Sequence, residues 1–206
     1  MADGLFKTQK DLTGAATQPG AGLGRMRYKD LNGDGVIDQN DQDYIGNSTP
    51  KGLYGFNAAF HYKNFDFSFF FQGVAGITVN NTYKSLSDFT SLSAGTNWGK
   101  RTLDAWSPTN MASNIPALTL NDNNNEGRFS TYFLESGSYL KLRNIQLGYN
   151  LKNVIRGSKV KNARLFIQGS NLLTIKSKSF TAKDPENTNN SFPIPVIGTV
   201  GASVTF

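Results

Sequence analysis

The chain of 206 residues has no cysteine and a single histidine, His61. The missing thiols exclude disulfides and thiolate chemistry, though they do not fix a compartment. With one histidine, any nucleophile–base pair would have to use His61, which lies among strand aromatics where packing or lumen lining explains it. No serine stands in a Gly-x-Ser-x-Gly setting. Gly20-Ala21-Gly22-Leu23-Gly24 is not followed by a helix pattern, so it is not a dinucleotide loop. The acids cluster in one short stretch rather than as a pair facing a cleft, as glycoside hydrolysis requires. The residues therefore exclude an enzyme. No run of about 18 apolar residues is present, which excludes a transmembrane helix but leaves transmembrane β open. Residues 1–20 lack the basic start and apolar core of a signal peptide, so an exported form would be a fragment or a processed product.

Charge is also scarce. Asp, Glu, Lys and Arg make up 17% of the chain, whereas 15 Phe, 8 Tyr and 21 Gly are present. That balance favours all-β structure over a helical bundle. The net charge of +6 comes largely from a segment without acids between Glu135 and Asp184, which carries Lys141, Arg143, Lys152, Arg156, Lys159, Lys161, Arg164, Lys176, Lys178 and Lys183. An anionic partner is one reading; solvated turns and strand ends are the simpler one, and no motif gathers these charges for nucleic acid.

Period-two alternation then marks the strands. In the final stretch, 196–206, Val196, Gly198, Val200, Ala202, Val204 and Phe206 share one face, while Ile197, Thr199, Gly201, Ser203 and Thr205 share the other. Its length matches a tilted membrane-spanning strand of about 9–11 residues, and an apolar strand left as a bare edge in water invites aggregation. Residues 53–62 and 65–74 read as a hairpin around Lys63-Asn64. Tyr54, Phe56, Ala58, Phe60 and Tyr62 lie on one face, answered by Phe65, Phe67, Phe69 and Phe71. Such a row suits the inner face of a sandwich and the outer band of a barrel equally. Residues 138–151 place Ile145, Leu147, Tyr149 and Leu151 on one face, but before Arg143 the apolar positions change parity to Leu140 and Leu142. A bulge or a membrane boundary at Arg143 would explain this. A turn over 152–162 leads to a strand at 163–173. Residues 1–29 and 75–136 read as long loops, and Trp98 and Trp106 in the second are candidates either to stack on sugar rings or to pack the loop.

The sharpest local motif is 30–41, DLNGDGVIDQND. EF-hand-type loops place oxygen ligands at positions 1, 3, 5, 7, 9 and 12, with Gly at 6. The matches are Asp30, Asn32, Asp34, the carbonyl of Val36, Asp38 and Asp41, with Gly35 at the turn and Ile37 as an apolar anchor. Position 12 is Asp rather than the usual Glu. The pattern predicts a structural Ca2+ site; the alternative is an Asx-rich turn without metal. No paired helices flank it, so a calcium sensor is not expected.

Taken in order, residues 24–38 (GRMRYKDLNGDGVID), Ile45-Gly46-Asn47-Ser48-Thr49-Pro50, the aromatic hairpin, Trp106-Ser107-Pro108, Ile115-Pro116, 138–145 (SYLKLRNI), Leu147-Gly148-Tyr149, Gly169-Ser170-Asn171-Leu172 and terminal Phe206 resemble the C-terminal part of SusC/RagA-family TonB-dependent outer-membrane transporters. The resemblance implies an all-β fold: about the last five strands of an antiparallel transmembrane barrel of about 22 strands, the plugged class, with long extracellular loops at 75–136 and 174–195. It divides the chain into an extracellular loop at 1–50, carrying the calcium loop, and barrel strands over 51–206. It implies localisation in the cell outer membrane, contact with outer-membrane lipid, a SusD-like surface lipoprotein, TonB acting through a plug region absent from this chain, and a glycan or peptide substrate, with no nucleic acid. The short turns would face the periplasm and the calcium loop the exterior. Two other readings remain at this stage: a soluble secreted calcium-binding β-sandwich acting as a binding module, and a small independent outer-membrane barrel. Membrane fractionation separates the sandwich from both.

Overall fold

The structure, a computed structural model, describes residues 1–88, 97–151, 160–188 and 192–206. The chain divides into two compact units, one built chiefly from Met1–Asn47 and Val79–Glu135, the other from Ser48–Thr78, Ser136–Asn187 and Ser191–Phe206.

The second unit is a five-stranded antiparallel sheet of β3 (Gly52–Tyr62), β4 (Phe65–Ala75), β7 (Tyr139–Asn150), β8 (Asn162–Lys176) and β9 (Ile197–Thr205), in that spatial order. All five stretches that alternate in the sequence are strands. The hairpin register pairs Phe56 with Phe71, Phe60 with Phe67 and Tyr62 with Phe65, so both aromatic rows lie on one face. The two-residue connection needs one residue with positive φ, and Lys63 supplies it at 54°. The expected turn at 152–162 falls mostly outside the described residues. β8 runs on to Lys176, three residues beyond the sequence expectation, because Leu173 and Ile175 find Leu142 and Leu140 opposite them on β7.

The first unit departs from expectation. Residues 1–29 and 75–136 read as loops, yet they hold β1 (Ala2–Leu5) paired antiparallel with β2 (Met26–Tyr28) and the short helices α1 (Gln9–Thr13) and α2 (Thr82–Asp88), and with Ile37 of the 30–41 loop they build a buried core of Leu5, Met26, Tyr28, Ile37, Trp106 and Phe133. These apolar residues come singly from distant places in the chain, so no local periodicity announces them. α1 starts with a capping box, in which the Thr8 hydroxyl accepts from the Asp11 amide and Asp11 accepts from the Thr8 amide. Polar groups complete the interior. Gln18 donates to the Met26 carbonyl at 2.8 Å and accepts from the Tyr28 amide at 2.9 Å. Fully buried Glu126 accepts from the Met26 amide at 2.6 Å and from Arg25 at 2.8 Å; burial pushes its carboxyl above the ordinary range despite those donors. A second pair of short strands, β5 (Thr78–Asn80) and β6 (Leu134–Ser136), forms its own two-stranded sheet.

Candidate functional site

The five-stranded sheet has two chemically distinct faces. One carries Phe56, Phe60, Phe65, Leu147, Leu165, Ile167, Val200 and Val204, each between 41% and 84% exposed. Neighbouring strands bring the rings together: Phe65 and Tyr149 lie 4.7 Å apart, Phe56 and Phe69 5.8 Å, and Phe67 and Phe69 5.7 Å. Large apolar groups left this bare are costly in water at roughly 25 cal/mol per Å², and a continuous patch of this kind marks a surface that meets lipid or another protein. The inner face of a sandwich is buried, whereas these residues are exposed, which does not favour the β-sandwich.

The opposite face carries His61, Asp66, Gln72, Lys141, Asn144, Gln146, Arg164, Gln168 and Ser170. Arg164 donates to Asp66 through Nε at 2.9 Å and through Nη2. The fully buried Lys141 donates to both oxygens of Asp184, at 2.8 and 2.9 Å, and to Glu186 at 2.6 Å. Arg143 joins Glu186 to Gln72, and the Tyr139 hydroxyl donates to Glu186. Burial would raise the Glu186 carboxyl, but hydrogen bonds from Arg143, Lys141 and Tyr139 outweigh it and hold the group at about 2. This cluster was not foreseen. Its signal was the basic stretch itself, since the first acids to follow it are Asp184 and Glu186.

The parity change at Arg143 is a β-bulge. Asn144 pairs with Phe70 and Leu142 with Phe71, leaving Arg143 as the extra residue on β7. Beside it, Asn171 on β8 takes a left-handed φ of 56°. Strict alternation from Ile145 would turn both Arg143 and Lys141 toward the apolar face. The bulge instead puts Leu142 and Leu140 there, opposite Leu173 and Ile175, and sends both cations to the polar side. A cation on the lipid face is destabilising, by about 2–4 kcal/mol at the bilayer midplane and less near the interfaces, and bulging Arg143 out of the ladder keeps both cations off that face.

The 30–41 loop is a run of Asx turns. Gly33 and Gly35 have φ of +78° and +81°. Asp30 accepts from the amides of Gly33 at 2.6 Å and Gly35 at 2.8 Å; Asn32 accepts from Asp34, and Asp34 from Val36. Asp41 closes the loop by accepting from Leu31 and Asp38, and these backbone bonds lower its carboxyl. Ile37 is buried in the core, while Thr17 brackets the loop through bonds to the Gly35 carbonyl and the Ile37 amide. The carboxylates face their own backbone: no three His, Cys, Asp or Glu side chains converge as a metal cage among the described residues. The donor chemistry, all hard oxygen, fits Ca2+. Trp106 lies in the core, 8% exposed, against Gly24 and Ala117, which is packing rather than a sugar platform; Trp98 is half-buried.

No family model matches the chain. Among curated proteins it is 31% identical to TonB-dependent receptor P26 and 35% identical to TonB-dependent receptor P3, both of Formosa agariphila, over 98% and 91% of its length. It is 28% identical, over 87% of its length, to TonB-dependent receptor SusC of Bacteroides thetaiotaomicron. The chain belongs to the SusC/RagA family of TonB-dependent receptors. It spans 22%, 18% and 17% of those three relatives, so it corresponds to about a fifth of a SusC/RagA protein. The whole chain superposes on 22% of the RagAB peptide importer in its closed-closed state, with a TM-score of 0.72 at 21% identity, and equally on the open-open state. The sheet is thus a piece of a SusC/RagA barrel wall in the outer membrane, with its phenylalanine face toward lipid and its charged face toward the lumen.

Proposed function

We propose that the full-length protein imports oligosaccharides or peptides across the outer membrane, driven by TonB through a plug region outside this chain and assisted by a SusD-like surface lipoprotein. The observation that carries this reading is the two-sided sheet: a bare aromatic face backed by a face of paired charges, as the wall of a polar passage through lipid requires. Relatives named as receptors and an importer point the same way. Uptake of labelled oligosaccharide and peptide pools by cells with and without the gene, each with and without TonB, tests it. Loss of uptake in both single mutants supports the reading; unchanged uptake of every pool in both sinks it.

Under the same reading, the 30–41 loop holds one Ca2+ on the extracellular side, through Asp30, Asn32, Asp34, the Val36 carbonyl, Asp38 and Asp41. The ion would stiffen the loop rather than take part in transport. The hard-oxygen donors and the two glycines at positive φ support it; side-chain rotation away from the backbone amides is what binding would require.

A further inference from the structure

Residues 177–187 form a strap against the lumen face of the sheet. Lys176 ties its base by donating to the carbonyls of Ala182 at 2.6 Å and Lys183 at 3.1 Å. Phe180 and Ala182 are buried. The tip, Asp184-Pro185-Glu186, brings two carboxylates to a single ammonium, that of Lys141. The donors gathered there are the Lys141 ammonium, the Arg143 guanidinium and the Tyr139 hydroxyl, all from β7. The wall therefore presents a convergent set of donors with two positive charges, and its neutralising acids come from the strap.

We propose that Lys141, Arg143 and Tyr139 form a carboxylate-binding cradle in the lumen wall, and that Asp184 and Glu186 occupy it as internal stand-ins until a dicarboxylate ligand displaces them. The inference rests on the import reading above and narrows its substrate class to molecules carrying two nearby carboxylates. Three features support it. Arg–carboxylate and Lys–carboxylate contacts are strong and charge-assisted, so an incoming carboxylate recovers what the strap gives up. The wall itself supplies no acid to this cluster: the Gln72 side chain that meets Arg143 is neutral. Protonation of Glu186 does not release its end of the strap near neutral pH. The Glu186 carboxyl is held at about 2, so the stability it contributes is complete above the ordinary carboxylate range and is lost only as pH falls toward that value. Competition by another carboxylate is the release this proposal requires. Because the strap is tethered, its effective concentration is on the order of millimolar, and a single free carboxylate competes poorly. A ligand bearing two is what can match it.

The test uses the full-length receptor in detergent and reads hydrogen exchange of the strap amides by mass spectrometry. Three probes are added at tens of millimolar: a capped Asp-Pro-Glu peptide copying the strap tip, its Asn-Pro-Gln isostere, and digalacturonate. The expected result is exchange in 179–187 accelerated at least tenfold by one or both carboxylate probes and unchanged by the isostere; which probe acts separates acidic peptides from acidic sugars as the source. The double variant Asp184→Asn/Glu186→Gln, which leaves the wall donors intact, is expected to bind the active probe at least tenfold more tightly by calorimetry. Unchanged exchange with both carboxylate probes, equal acceleration by the isostere, or no tightening in the double variant overturns the cradle. Neither readout depends on transport, so a failure of import with a responding strap would count against the import reading alone.

Discussion

Asp66 on β4 and Arg164 on β8 meet across the intervening strand, over the bare Cα of Gly148. A Cβ there would come within 2.5 Å of the Asp66 carboxylate and 2.4 Å of the Arg164 guanidinium. Gly148→Ala is therefore expected to separate the pair. Leaving such groups without partners costs about 1–3 kcal/mol. The check is the temperature at which the intact receptor loses its folded mobility on a semi-native gel. It should fall in Gly148→Ala and fall no further when Asp66→Asn is added.

Sidedness of the wall gives a second expectation. Phe69→Arg puts a cation on the lipid face and should destabilise the barrel by about 2–4 kcal/mol, lowering folded receptor in outer-membrane fractions. Its neighbour Ser68→Arg points to the lumen and should assemble at normal levels. Deleting Arg143 removes the bulge but leaves Leu142 opposite Phe71 and Lys141 toward the lumen, so the deletion and Arg143→Gln should both assemble. Loss of assembly in the deletion alone would show that the strand cannot regularise without its extra residue.

The strands were legible in the sequence because each alternates with a period of two, β7 in two phases that meet at Arg143. The first unit was not. Leu5, Met26, Trp106 and Phe133 are lone apolar residues in polar surroundings, and only long-range packing reveals that they share a core. The Lys141 cluster was half-visible: the cations stood out, but nothing local pairs position 141 with 184 and 186. The 30–41 loop shows the opposite limit. Its spacing named every candidate ligand, yet the side chains turn to their own backbone amides, and spacing cannot say which way an oxygen faces.

Gly24 has a φ of +76°, and a Cβ there would come within 2.4 Å of the Trp106 ring and 2.6 Å of the Ala117 Cβ. Gly24→Ala should cost about 1–2 kcal/mol for the left-handed backbone alone, and more for the displaced indole. A red-shifted Trp emission together with faster proteolysis within 1–47 is the expected signature; an unshifted spectrum would mean that the core absorbs the methyl.

Calcium should protect the 30–41 loop from proteolysis, and Asp34→Ala should abolish that protection and the calorimetric binding signal. Wild-type receptor showing no heat of calcium binding would end the assignment. Acid gives an independent readout without metal. The folded-state carboxyl of Asp41 is lowered by hydrogen bonds from Leu31 and Asp38. Its contribution is therefore full above the unfolded value of about 3.9 and disappears as pH drops through the lower folded value. Loop protection in EDTA should be flat from pH 7 to pH 5 and decline only below pH 4.

The extra residue in β7 also bears on how such proteins are found. Scans that score every second residue for greasiness will break this span in two at Arg143 and count Lys141 against it. The barrel has lost nothing there, since the out-of-phase half is as oily as the in-phase half. A search that permits a single slip of phase within a span would recover walls that a rigid comb discards.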